Sequence, residues 1–241
     1  MAQCDQAWGF GAVRDRMART SISTLSTREK IVSAAADRFQ CPRIQRVWCP
    51  GVDAAGVPKG SFYNYFKAKE LLPVEVLGTY WESVEIDMLA NKSVAPVRRI
   101  RGHFEHSASR YAGFGYDRGC LIGKFIQELS ETTPRIRQHV VGAVVRWTGL
   151  LASAIREGQT DGSIAPELDA DKIARYPINS WGGAAAGMKI VKTRAPLEDF
   201  FSTTFSLLLQ PSPSRGTRRS PVRRRAAKTR KRARRAAGRL R

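Results

Sequence analysis

Residues 54–70 read AAGVPKGSFYNYFKAKE, and the rest of the chain is understood from them. A small-Gly-Val turn leads into a short helix start rich in hydroxyl, amide and aromatic groups. Lys67 and Lys69 follow directly. A tight connection between two helices needs a backbone that tolerates unusual φ, which Gly56 supplies, and an apolar anchor, which Val57 supplies. This is the pattern of the reading half of a helix-turn-helix, whose second helix enters the major groove. Phosphate contacts there need donors such as Lys, Tyr and Ser, and base edges need hydrogen-bonding or methyl-contacting side chains. The plain alternative is an amphipathic helix with exposed polar groups.

The joint occurrence of AAGV, KGS, FYNYF and KxK resembles the TetR family of one-component repressors, also called TetR/AcrR. The resemblance implies operator binding released by a small molecule. It places Lys59, Gly60 and Ser61 where that family contacts bases and backbone. Tyr63 and Tyr65 fall on phosphate-contacting positions, and Lys69, at the start of the next helix, falls on another. Phe62 and Phe66 match core positions.

The chain has 241 residues, enough for one or two domains with a sizeable core. No apolar run reaches the roughly 18–20 residues of a membrane span, and residues 1–20 hold no secretory apolar stretch, so a cytoplasmic protein is expected. Cys4, Cys41, Cys49 and Cys120 are scattered without zinc or disulfide spacing. His103, His106 and His139 form no metal set, and His103 with His106, one turn apart, are expected on a solvated helix face. Neither a nucleophile–base pair nor a metal cluster stands out, so no cofactor and no enzymatic activity are expected. Formal net charge is +20, but 14 of the 41 lysines and arginines and none of the 21 acids fall in 210–241. Most of the apparent nucleic-acid signal therefore sits in one tail. That tail, rich in Arg, Ala, Pro and Ser, cannot bury a core and is expected to be disordered.

No stretch alternates with period two, and the class is all-α. Residues 1–25 read as a disordered extension. Ser26 and Glu29 form a capping box, and Ile31, Ala35 and Phe39 give the stripe of a first amphipathic helix. A long helix is expected from near Lys69 toward Asn91, with Pro73 in its first turn. Further helices are expected over about 95–111, 120–129, 134–157, 169–192 and 196–209, with Pro134 at a first helical position and Pro177 as a kink. The domains are thus 26–69 for DNA binding and 70–209 for ligand binding and dimerisation, followed by the basic tail 210–241. The resemblance implies that the last two helices pair with their copies as a four-helix bundle in a homodimer.

GCLIGKFIQELSE, residues 119–131, resembles the electrophile-sensing, NemR-like subgroup of the family, and Cys120 falls where that subgroup often carries a sensor thiol. A sensing thiol must be partly ionised, which a nearby cation promotes. Lys124 lies one turn away and Lys189 can approach from a later helix. The plain alternative is a buried structural cysteine. Trp147, Trp181, Phe125, Phe104 and Tyr111 can line an effector pocket or simply fill the core. The function expected is therefore a repressor of double-stranded operator DNA, relieved by a small molecule or reactive electrophile. The alternatives are non-specific nucleic-acid binding through the Arg-rich tail, and a dimer whose DNA recognition is impaired.

That last alternative comes from residues 41–52, CPRIQRVWCPGV. The family places a glycine, an apolar residue and a bracing second helix there. Pro50 and Gly51 inside such a helix would cost about 3 and about 1 kcal/mol. Codons for Cys41–Val52 read one nucleotide later can encode Ala-Arg-Gly-Phe-Asn-Ala-Tyr-Gly-Val-Gln-Glu-Leu. The glycine replacing Trp48 is forced, since TGG shifted by one begins GG. That string is a glycine turn followed by a helix with apolar residues on one face. The hypothesis is a pair of compensating frame errors flanking this segment. The gene's nucleotide sequence checks it: the shifted frame should encode a helix-like segment, and one interrupted by stops or prolines would dismiss the idea.

Overall fold

A capping box starts the first helix as the sequence requires. Ser26 Oγ accepts from the Glu29 amide, and the Glu29 carboxylate accepts from the Ser26 amide at 2.8 Å. The Ser26 hydroxyl, donating to that carboxylate at 2.7 Å, and then the Ser26 amide favour its ionised form and hold the Glu29 pKa below its ordinary value. The helix, α1, spans Thr27–Phe39 and buries Ile31, Val32, Ala35 and Phe39. The computed structural model describes residues 25–40, 56–128 and 134–212. The frame-error segment 41–52, the N-terminal extension and nearly all of the basic tail lie outside the described residues.

After Gly56 the chain enters a 3-10 turn, Lys59–Ser61, and a single helical turn α2, Phe62–Tyr65. α3 covers Leu71–Ser83. It does not continue toward Asn91 as its apolar content suggests. Glu85 takes a left-handed backbone conformation, φ +48°, and the chain re-enters as a 3-10 helix, Ile86–Ala90. The break lets Ile86 and Leu89 reach the core as well as Tyr80 and Val84. Then come α4, Pro96–Gly113, with proline at its start; α5, Leu121–Glu128; α6, Pro134–Thr160; and α7, Ala170–Val191. Asp169 caps α7 by accepting from the Asp171 and Lys172 amides, both at 3.1 Å. Pro177 is buried within α7, which is helical on both sides of it. α8, Ala195–Thr203, runs into a π-helical turn, Thr204–Leu208. Among the described residues there is no strand, and the fold is all-α as the sequence indicates.

The core of the larger part is aromatic. Phe104 of α4 lies 6.0 Å from Trp147 of α6, 5.1 Å from Trp181 of α7 and 4.9 Å from Phe200 of α8, ring centre to ring centre. Tyr111 stacks on Trp181 at 5.7 Å. These side chains, with Phe125, are core rather than the lining of an open pocket. Arg99, almost fully buried, pairs with Glu157 at 2.6 Å and joins α4 to α6. The pair, with Arg99 donating, draws the Glu157 pKa below its usual value.

His103 corrects an expectation. It does not face solvent but is 1% exposed, against the rings of Phe104 and Trp147 at 5.2 and 5.7 Å. His106 one turn on is half-buried, with Nε2 3.2 Å from the Ser83 carbonyl oxygen, which it must therefore donate to. Burial, then the charge of His106, pushes the His103 pKa down to about 4 from 6.5. The unfolded chain takes up a proton near pH 6.5, whereas folded His103 resists until about 4. Stability should thus be intact above pH 6.5 and decline as pH falls toward 4, by at most roughly 3 kcal/mol from this group. Denaturant unfolding of wild type and His103→Gln at pH 7.5, 6, 5 and 4 checks this: the variant should lose less on acidification.

Candidate functional site

The segment singled out by sequence folds as a small, anchored projection. Gly56 has φ +68° and open space where a Cβ would stand, so it is required by backbone conformation, not by crowding. The Ser61 amide donates to the Pro58 carbonyl at 2.8 Å and closes the turn. Phe62 and Phe66, four apart, turn inward and stack at 5.1 Å, 6% and 0% exposed. Their burial turns Tyr63, Asn64 and Tyr65 outward, with Tyr63 58% exposed. Gly60, Lys67 and Lys69 are also exposed, and Ser61 is half-buried. The backbone of Lys59 opens the 3-10 turn. Arg28 of α1 fastens the projection from behind. Its guanidinium lies over the Phe66 ring at 5.1 Å and pairs with Glu75 of α3.

Two contacts fix the far end of α1 to the body. Asp37 receives Arg118 at 2.7 Å, and the Phe39 ring meets Phe125 of α5 edge-on at 5.4 Å. Arg118 is 8% exposed and lies over the Phe114 ring at 4.3 Å. Its neighbours in the 114–120 connection reach elsewhere. Asp117 pairs with Lys192 just past α7. A Cβ on Gly119 would come 3.2 Å from both the Ala185 carbonyl oxygen and the Lys189 stem. The connection thus touches α1 on one side and α7 on the other. Sequence reasoning passed over Asp37, Arg110 and Arg118: ordinary charged residues, with Asp37 and Arg118 81 positions apart.

Cys120 ends this connection. Its Sγ accepts from the Gly123 amide at 3.5 Å. Burial is the main influence on the thiol and raises its pKa; the Gly123 amide and the Tyr80 hydroxyl pull less strongly the other way. In this conformation the thiol is held protonated. Lys124, expected to help ionise it, stands 3.9 Å from Glu128. Lys189 is brought to the 119–120 connection through its stem.

A cavity of about 630 Å³ opens between α1, the end of α3, the 3-10 helix, α4 and the 114–121 connection. Tyr80, Trp81, Ile86 and Leu121 give it an apolar wall, and Arg110 and Arg118 bring positive charge. One terminal nitrogen of Arg110, Nη1, is buried without a hydrogen-bond partner.

A basic-aromatic projection on a larger, cavity-bearing helical body defines the class: an all-helical sensor with a small recognition head. Residues 96–204 match the family described as Tetracyclin repressor-like, C-terminal domain. The chain is 38% identical over 159 residues to the HTH-type transcriptional repressor DhaR of Mycobacterium sp. (strain GP1), covering 65% of this chain and 78% of that one. It is 32% identical to the transcriptional regulator AcuR of Cereibacter sphaeroides, covering 64% and 73%. A crystal structure of a regulatory protein TetR from Rhodobacter sphaeroides superposes with a TM-score of 0.66 at 26% identity, covering 75% of this chain and 97% of that one. The chain belongs to the TetR family of transcriptional regulators. Among the described residues no helix is long and apolar enough to cross a membrane.

Proposed function

We propose that this protein is a transcriptional repressor that acts in the cytoplasm as a homodimer on double-stranded operator DNA and is released by a small-molecule effector. The carrying observation is the projection at 56–69, where buried Phe62 and Phe66 present Tyr63, Tyr65 and Lys69 outward. Lys59, Gly60 and Ser61 read bases and adjacent backbone, while Tyr63, Tyr65 and Lys69 hold phosphates. Residues 26–69 form the DNA-binding domain and 70–209 the ligand-binding and dimerisation domain. Exposed Ile190, Val191 and Leu207 near the ends of the last two helices support pairing with a second copy there.

Cys120 is the sensor for electrophiles, with Lys124, one turn away, and Lys189, whose stem reaches Gly119, as its candidate cations. The raised thiol pKa means that resting Cys120 reacts slowly, and opening of the 114–120 connection sets the rate. Effector binding favours a spacing of the two reading helices that does not match the operator.

Footprinting with the full chain on its own upstream DNA tests this. A palindromic site should be protected. Lys69→Ala should weaken binding across sequences and lower the salt slope by about 1. Removing residues 213–241 should leave the protected site in place. Absence of site-specific protection, or loss of all binding with the tail, would contradict the proposal.

A further inference from the structure

Arg110 is half-buried and brings one enclosed guanidinium nitrogen to a cavity of mixed lining. Its Nη1 is enclosed and has no hydrogen-bond partner, and among the described residues no carboxylate lies within ion-pair distance of it. Its guanidinium stands 5.8 Å over the Tyr80 ring, which also lines the cavity. The acids on the cavity wall do not answer that charge. Asp37 is paired with Arg118 and Asp87 with Arg146, each at 2.7 Å. Glu82 and Glu85 are exposed at the rim. A guanidinium fork matches a carboxylate, and an enclosed, partly apolar setting strengthens that contact. A volume of about 630 Å³ lies within the range of small-molecule sites.

We propose that this cavity seats a small organic carboxylate, its acid group on Arg110 and on Arg118 drawn away from Asp37, its apolar part against Trp81, Ile86 and Leu121. The acid group is a single negative charge, since the rim carboxylates of Glu82 and Glu85 repel a more highly charged anion. A cation has no buried acid to meet, and a neutral ligand leaves Arg110 unpaired. Arg118 reaches Asp37 through Nη1, so a carboxylate that draws the guanidinium toward the cavity competes with the α1 clamp. By linkage the ligand loosens α1, which carries the head's rear support. Release of the operator by such a ligand rests on the repressor reading above; the site itself does not.

Calorimetric titration and tryptophan fluorescence of the full-length protein test the site, with benzoate, benzamide and sulfate as probes. Benzoate should bind saturably and change the emission, while benzamide and sulfate bind at least about tenfold more weakly. Arg110→Gln should weaken benzoate at least about tenfold, and Arg110→Lys should retain part of the affinity. Asp37→Asn should tighten benzoate, which a merely structural role for Asp37 does not foresee. Equal binding of benzoate and benzamide, equal binding of sulfate, no benzoate binding, or no change in either Arg110 variant would overturn the proposal. Should Arg110→Gln fail to fold, Arg110→Lys, Asp37→Asn and the ligand contrasts decide it. Benzoate binding in the expected pattern without any change in operator affinity supports the site and places the failure in the repressor reading.

Discussion

The attachment of α1 to the helical body governs how this molecule can work. At one end Arg28 pairs with Glu75 and covers Phe66. At the other, Asp37 pairs with Arg118 and Phe39 meets Phe125. Between them α1 buries Ile31, Val32 and Ala35 in the same core that takes Phe62 and Phe66. Whatever moves the 114–120 connection therefore acts on α1 directly, and through α1 on the recognition segment. Among contacts of this kind a partly buried, well-aligned charge pair carries more than a solvated one, which contributes about 0–1 kcal/mol.

The 114–120 connection joins that attachment to the α7 side of the body. Gly119 is wedged against the α7 backbone at Ala185, Asp117 reaches Lys192, and Arg118 reaches α1. Three consecutive residues thus reach α1 on one side and α7 with its C-terminal cap on the other. The cavity shares Arg118 and Leu121 with this connection. A ligand seated there would act on the same few contacts, as would a substituent on Cys120 at the end of the connection. Differential contacts of this sort, not distance, are what a coupling between sites consists of.

How much of this was legible in the sequence follows from which interactions are local. The capping box, the Pro134 start of α6 and the Phe62/Phe66 spacing are set within four or five residues, and each reads correctly from the chain. The early end of α3 did not: the apolar pattern runs on past Ser83, and only a left-handed Glu85 reverses it. His103, one turn from His106, reads as part of a solvated face; its burial comes in part from Trp147, 44 positions away, which no local pattern announces. The Asp37–Arg118 pair and the cavity are purely tertiary. No periodicity announces them, since charged residues of that kind occur throughout the chain.

The Asp37–Arg118 clamp ties the 114–120 connection to α1, and a double-mutant cycle measures it directly. Denaturant unfolding of the wild type, Asp37→Asn, Arg118→Gln and the double variant gives the interaction energy of the two side chains. A coupling of about 1 kcal/mol or more is expected, with each single variant costing nearly as much as both together. Additive losses, leaving a coupling near zero, would show that α1 is held by apolar packing alone and would contradict the account.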